Sequence, residues 1–241
     1  MFQGFAFPRA LYGYNSTENA KTLQLPEPNE MLSYSLLKNH AGILLASDYN
    51  SLKALHEVVH EVNERSPLWK DKEGMFLGLA YDVRKAYEGQ RKTIQPPEHF
   101  PEIGPNFGVE VLWPVILVQS RMLRASLAFI DSTKRHQAIA YNLEAVIEDA
   151  LREAFGPNAP VLIEQWERIN PCHPWPEAKL GSRAAAYCSM TKAERREHLV
   201  DLLASLDPMY PMIYKLTQRK PSLSPEELDA WEGLEWADPR W

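Results

Sequence analysis

From Met31 onward the apolar and polar positions fall into regular patterns, and each pattern predicts an element. Residues 31–37 and 43–47 are short β-compatible runs around His40-Ala41-Gly42, which predicts a hairpin. Leu52, Leu55, Val58, Val59 and Val62 then recur at helical spacing, so a helix over 51–65 has one apolar face. Asp48 or Asn50 can cap it, and Ser66-Pro67 stops it. A second helix is predicted over 74–88, with Gly89 as its terminator. Pro96, Pro97, Pro101 and Pro105 mark 95–105 as a loop, and 107–112 reads as a strand. Pro114 suits the first turn of a helix that reaches about Asp131. That helix is apolar nearly all round, broken only by Ser120, Arg121, Arg124 and Asp131, the pattern of a central buried helix. A fourth helix over 133–155 carries Ile139, Leu143, Val146, Ile147, Ala150 and Leu151 on one face. Glu144, Glu148, Asp149 and Glu153 form its wet face, and Gly156-Pro157 ends it.

The flanks look different. Residues 1–30 hold Phe2, Phe5, Phe7, Tyr12 and Tyr14 without a sustained period, the texture of an arm lying on the rest of the protein or on a partner. Past Gly156, proline and tryptophan accumulate, and two capping boxes, Thr191 with Glu194 and Ser224-Pro225 with Glu227, predict further helix starts. The chain therefore divides into an arm (1–30), an α+β core domain (31–156) and a helical, Trp/Pro-rich extension (157–241). The expected fold class is α+β, helix-dominated: a small, mainly antiparallel sheet packed by about four helices, with a helical C-terminal extension.

Composition narrows the function classes. With 45% apolar residues in 241, there is enough to build a real core. Two cysteines exclude a multi-bridge secreted framework. The 26 basic and 32 acidic side chains give a net charge of −6, against the footprint of a nonspecific nucleic-acid binder. The longest apolar runs, such as 115–118, are far too short to span a bilayer, so no membrane role is expected. Residues 1–10 lack a basic start followed by an apolar stretch, and a cytoplasmic location is expected. The charge itself is uneven, since 222–241 holds six acids against one Arg.

Several strings carry candidate chemistry. His56-Glu57-Val58-Val59-His60 matches H-E-x-x-H, in which two imidazoles one helical turn apart hold zinc and the Glu activates a bound water. Glu73, Asp82, Glu88 and His99 are candidate third ligands, but none sits in a recognised third-ligand motif. If the apolar stripe faces the core, His56 and His60 fall on its flank and Glu57 points roughly opposite. Tyr81-Asp82-Val83-Arg84-Lys85-Ala86-Tyr87, followed by Gly89 and Arg91, places Tyr81, Arg84 and Tyr87 at i, i+3 spacing on one polar-aromatic surface. This is either a partner-binding patch or a wet helix face. Arg121 and Arg124 on an apolar helix need carboxylate partners, for which Glu110, Asp82 and Asp131 are candidates. Cys172, His173, Cys188 and His198 lack the paired spacing of a structural zinc site and read better as two reduced thiols and unlinked histidines. Trp231, Trp236 and Trp241 form either a docking segment or rings packed back on their own domain.

The segments His40-Ala41-Gly42, Ser47-Asp48-Tyr49, Leu55-His56 with His60, Leu79-Ala80-Tyr81-Asp82-Val83-Arg84-Lys85-Ala86-Tyr87 with Gly89, and Val109-Glu110-Val111-Leu112-Trp113-Pro114 carry a likeness. The span 31–155 resembles an uncharacterised family of small bacterial proteins, a domain of unknown function. The resemblance implies a compact α+β module, no established reaction, and an incidental Glu57. The leading expectation is a non-catalytic, cytoplasmic, bacterial or phage-type protein without a cofactor. Such a protein docks on another protein as immunity proteins, antitoxins and counter-defence factors do. Tyr81, Arg84, Tyr87, Arg91, Trp231, Trp236 and Trp241 are its candidate contact residues. The alternative is a zinc hydrolase using His56, Glu57 and His60. A third, weaker reading is a nucleic-acid-associated factor using Arg84, Lys85, Arg91 and Lys92.

Overall fold

A computed structural model describes residues 31–99, 101–217 and 221–239. The expected arm at 1–30 and Trp241 lie outside the described residues. Among the described residues four strands, β1 (Ser33–Leu36), β2 (Gly42–Ser47), β3 (Lys92–Ile94) and β4 (Asn106–Leu112), form one antiparallel sheet in the order β1-β2-β4-β3. Its register pairs Ser33 with Ala46, Gly42 with Leu112 and Lys92 with Gly108. Every residue of the central strand β2 is buried. The fold is α+β and helix-dominated, as the patterning predicts.

The hairpin between β1 and β2 turns on Asn39 (φ 57°) and His40 (φ 52°) in the left-handed region, not on a glycine. Tyr187 Oη donates to His40 O, and Leu37 N to Gly42 O, which fixes this unusual turn. Asp48 caps α1 (Tyr49–Arg65), accepting from Asn50 N at 2.7 Å and Ser51 N at 3.0 Å. Leu52, Leu55, Val58, Val59 and Val62 are buried as the stripe requires. In α2 (Met75–Lys85) the buried residues are Phe76, Leu79, Ala80 and Val83.

Strand β4 runs directly into α3 (Trp113–Ser126), shorter than the 114–131 span expected, and Trp113 N donates to Ala41 O at 3.1 Å. This is the central helix. Gln119 Nε2 donates to Met75 O of α2, and Trp166 Nε1 of α5 (Ala159–Arg168) donates to Leu117 O. Neither arginine takes its expected partner. Arg124 forms a two-point ion pair with Glu144 of α4 (Lys134–Phe155), at 2.9 and 2.6 Å, and stacks 3.8 Å from the Tyr141 ring. Arg121 donates to Glu167 O, and Asp82 is taken by Arg91 instead. The helical spacing places Glu144 on the wet face of α4, yet α3 lies close enough to claim it.

The remaining helices are α6 (Pro174–Ser189), α7 (Lys192–Ala204), α8 (Tyr210–Leu216) and α9 (Pro225–Asp229), the last two being short. Both predicted capping boxes form, at Thr191/Glu194 and Ser224/Glu227. Leu162, Leu180, Tyr187, Leu199 and Leu228 join the same hydrophobic cluster as Leu45, Val59 and Trp113, so the core continues across residue 156. Among the described residues no helix is long and apolar enough to cross a membrane.

Candidate docking surface on helices α1 and α2

Because α1 spends its apolar stripe on the core, Tyr49, Lys53, His56, Glu57 and His60 are left on its outer flanks. Helix α2 does the same with Tyr81, Asp82, Arg84 and Lys85. A wide helical turn over Ala86–Gln90 follows, and Gly89 at φ 74° reverses the chain toward β3. That turn lays Tyr87 over α1. Its ring meets Tyr49 edge-on at 5.2 Å and His56 at 5.8 Å, and its hydroxyl lies 3.3 Å from His56 Nδ1. The His60 ring is 6.0 Å from that of His56. Arg84 and Lys85 sit 5.6 and 5.5 Å over the exposed Tyr81 ring, and Arg84 approaches Glu88 at 3.8 Å. The two strings that sequence treats separately, His56 to His60 and Tyr81 to Tyr87, thus become one surface. Tyr49 is the member that sequence reasoning missed; its signal is an aromatic directly after a capping Asp, where a helix side chain faces water.

Arg91 is not free on this surface, since its guanidinium holds Asp82 at 3.0 Å. Burial raises the Asp82 carboxyl, while the Arg91 bond and charge pull it back. Burial also lowers His56 below its ordinary 6.5, helped by the charges of His60 and Arg84 and opposed by Glu57 and Glu88. A neutral imidazole leaves Nδ1 able to accept from the Tyr87 hydroxyl. The unfolded chain then takes up this proton at a higher pH than the folded one, so the fold loses stability as pH falls through 6.5 toward the folded value. We expect the His56 ring to titrate below 6.5 by NMR and its midpoint to rise in Arg84→Gln; a midpoint at 6.5 in both proteins would show a fully hydrated ring.

The same geometry tests the zinc pattern. Glu57 lies 3.9 Å from both Lys53 and Arg135, and His56 already faces Tyr87. Among the described residues, no three His, Cys, Asp or Glu side chains converge as a metal site. Among the described residues the string therefore brings together two imidazoles without a third ligand beside them. Cys172 is exposed, Cys188 is buried, and His198 faces Ser222 Oγ. Burial pushes the Cys188 thiol up to about 12, far from a reactive thiolate.

Of the terminal aromatics, Trp231 and Trp236 are half-buried and packed against the core. The acids around them are engaged as well: Asp229 with Lys179 and Arg183, and Glu232 with Lys179. A shallow depression of about 570 Å³ lies between the end of α4 and α5, lined by Arg152, Gly156, Pro160, Ile163 and Glu164, and none of the candidate residues borders it.

Comparison with known proteins places the chain at the level of a family. It belongs to the family defined by a domain of unknown function (DUF6904), whose model matches residues 32–224. The match runs well past residue 155, where the likeness read from the sequence stops. No curated protein and no solved structure is significantly similar to it.

Proposed function

We propose that this chain is a non-catalytic protein of the cytoplasm that acts by docking on a partner protein, in the manner of immunity proteins, antitoxins or counter-defence factors. The partner-binding face is the one formed by Tyr49, His56, His60, Tyr81, Arg84 and Tyr87. One observation carries the reading: two helices that spend their apolar stripes on their own core, with the wide turn after α2, converge three tyrosines, two histidines and an arginine on an outward face. Tyr and Arg are the residue types that interfaces concentrate, because they bury large areas while keeping a polar tip to satisfy. The cations there are partly matched by Glu88 and Asp82, which favours a mixed protein surface over a phosphate backbone.

The test begins with capture of partners by the tagged full chain from its native host. Tyr81→Ala with Arg84→Glu is expected to weaken the captured complex about 30-fold or more, the ~2 kcal/mol of a hot spot. Arg152→Glu, on the α4–α5 depression, is expected to leave it unchanged. Equal loss with both variants, or none with the first, removes this face as the interface. Stoichiometric zinc held through His56 and His60 would instead favour the hydrolase. A steep salt dependence of nucleic-acid binding through Arg84, Lys85 and Lys92 would favour the third reading.

A further inference from the structure

Helices α6 and α7 carry cations in places where cations need partners. Arg183 is 1% exposed and Arg195 2%. A guanidinium taken out of water must find acceptors, and a full charge is best matched by a carboxylate. Arg183 Nε donates to Ser205 Oγ at 3.1 Å and Nη1 to Ser182 Oγ at 2.9 Å, both hydroxyls; its charge is met by Asp229 at 2.6 Å. Lys179 Nζ reaches Asp229 at 3.1 Å and Glu232 at 3.2 Å, and lies 5.2 Å over the Trp175 ring. Arg195 donates to Tyr187 O and Cys188 O at the end of α6, and its Nη1 also to Pro239 O at 2.8 Å.

These acceptors, Asp229, Glu232 and the Pro239 carbonyl, share an address. All lie in 225–239, beyond Ser224, where the family match ends. The three cations lie within it. In this chain, then, the three cations lie inside the span that the family model matches, and these groups that meet them lie outside it. The chain is anchored up to the same point. Ser222 N donates to Asp201 Oδ2 at 2.8 Å, and Tyr210 Oη to Leu223 O at 2.7 Å. The stretch from α9 onward meets the body through Leu228, packed in the shared core, and through the ion pairs of Asp229 and Glu232. Burial works to raise Asp229, but the bonds and charges of Arg183 and Lys179 outweigh it and hold the carboxyl low.

We propose that the face formed by Lys179, Arg183 and Arg195 is a binding site for an acidic peptide segment, and that residues 225–239 occupy it as an intramolecular ligand which an acidic segment supplied in trans replaces. This site is independent of the α1–α2 face. A tethered segment acts at an effective concentration in the millimolar range, so a free peptide competes poorly until the tether's own contacts are weakened.

The probe is a fluorescent peptide of residues 222–239, titrated into the full chain. We expect full-length Asp229→Asn with Glu232→Gln to bind it at least about 10-fold more tightly than the unaltered chain does. A peptide carrying its own Asp229→Asn should bind about 10-fold more weakly than the native peptide. A dimer of the unaltered chain formed by exchange of this segment would support the same site. Binding no tighter to the variant, or indifferent to the peptide's Asp229, overturns the proposal. Hydrogen exchange on the unaltered chain decides the question even if the variant fails to fold. Amides of 228–232 should exchange at least about 100-fold faster than those of α3, whereas exchange only on global unfolding would make the segment an integral part of the core.

Discussion

Gly42→Ala is expected to lower the melting temperature by at least about 10 °C. A Cβ at this position would lie 1.9 Å from Val111 O, 2.8 Å from Val111 C and 2.9 Å from Leu112 Cα, all backbone atoms of the neighbouring strand. Overpacking against side chains costs about 1–3 kcal/mol because they can turn aside. Paired backbone between two strands cannot, so β2 and β4 must separate at the end of their ladder, where Gly42 faces Leu112. That separation also pulls on the bond from Trp113 N to Ala41 O, the entry to the central helix. A loss of about 4 kcal/mol or more follows, a large part of a total near 5–15 kcal/mol, at about 2–4 °C per kcal/mol for a chain of this size. Two other glycines calibrate the result. At Gly108 the contact is Leu44 Cδ1 at 2.8 Å, a side chain that can move, so Gly108→Ala should cost about 1–3 kcal/mol. At Gly181, inside α6, a Cβ meets nothing within 4 Å, and Gly181→Ala should stabilise by about 0.5–1 kcal/mol. Thermal melts of the three variants check the order, and equal melting of Gly42→Ala and Gly108→Ala would show that the strands part cheaply.

Gly42 also marks what the sequence makes legible and what it hides. The string His40-Ala41-Gly42 correctly announces a turn between two strands, yet the positive φ angles fall on Asn39 and His40. The glycine serves a neighbour 69 positions away, and such a partner leaves no local pattern. Helices α1 and α4 were readable because cap, stripe and stop coincide in each. Strand β3 was not: its three residues are largely exposed and alternate with nothing, and it exists because β4 offers an edge. Helix α6 escaped for the opposite reason. Ser182 through Cys188 are all buried, so no wet face gives this stretch a period. The rise in proline and tryptophan past Gly156 is real, but both residue types serve the common core: Trp166 donates to α3, and Trp175 to Ser205 O.

The candidate face was half legible. The i, i+3 spacing of Tyr81 and Arg84 predicts their contact, and the structure has it. That Tyr87 would cross to Tyr49 and His56 depends on the wide turn at Ala86–Gln90 and on which helix lies beside it, and periodicity specifies neither. The charged, aromatic tail is open in sequence to two readings, a docking segment or rings packed back on their own domain. Its Asp229 and Glu232 meet the half-buried Lys179 and the buried Arg183, on a helix that pattern alone does not reveal.

Arg195→Met should cost about 3–4 kcal/mol, although the side chain touches no candidate docking residue. Its guanidinium donates to Tyr187 O at 3.0 Å, Cys188 O at 2.8 Å, Pro239 O at 2.8 Å and, more weakly, Asn39 O at 3.4 Å. Two of these carbonyls belong to the last turn of α6, where helix geometry leaves acceptors without intrahelical donors and the dipole favours a cation. The third belongs to the C-terminal segment and the fourth to the left-handed turn of the hairpin, so one side chain ties three distant pieces of backbone together. Methionine fills much of the same volume but donates nothing, and each buried acceptor stripped of its donor costs about 1–3 kcal/mol; Tyr187 O is partly spared because Met190 N also donates to it. Arg195→Lys keeps the charge yet cannot aim a planar fork at three carbonyls, and should recover less than half of the loss. Arg196→Met, at the exposed next position, should stay within about 0.5 kcal/mol of the parent. Urea unfolding monitored by tryptophan fluorescence gives the order of the three, and limited proteolysis should cut Arg195→Met first within 225–239, where the bond to Pro239 is lost. An Arg195→Met protein within 1 kcal/mol of the parent would mean that water replaces the guanidinium at these carbonyls and that the tie is not what holds the C-terminal segment down.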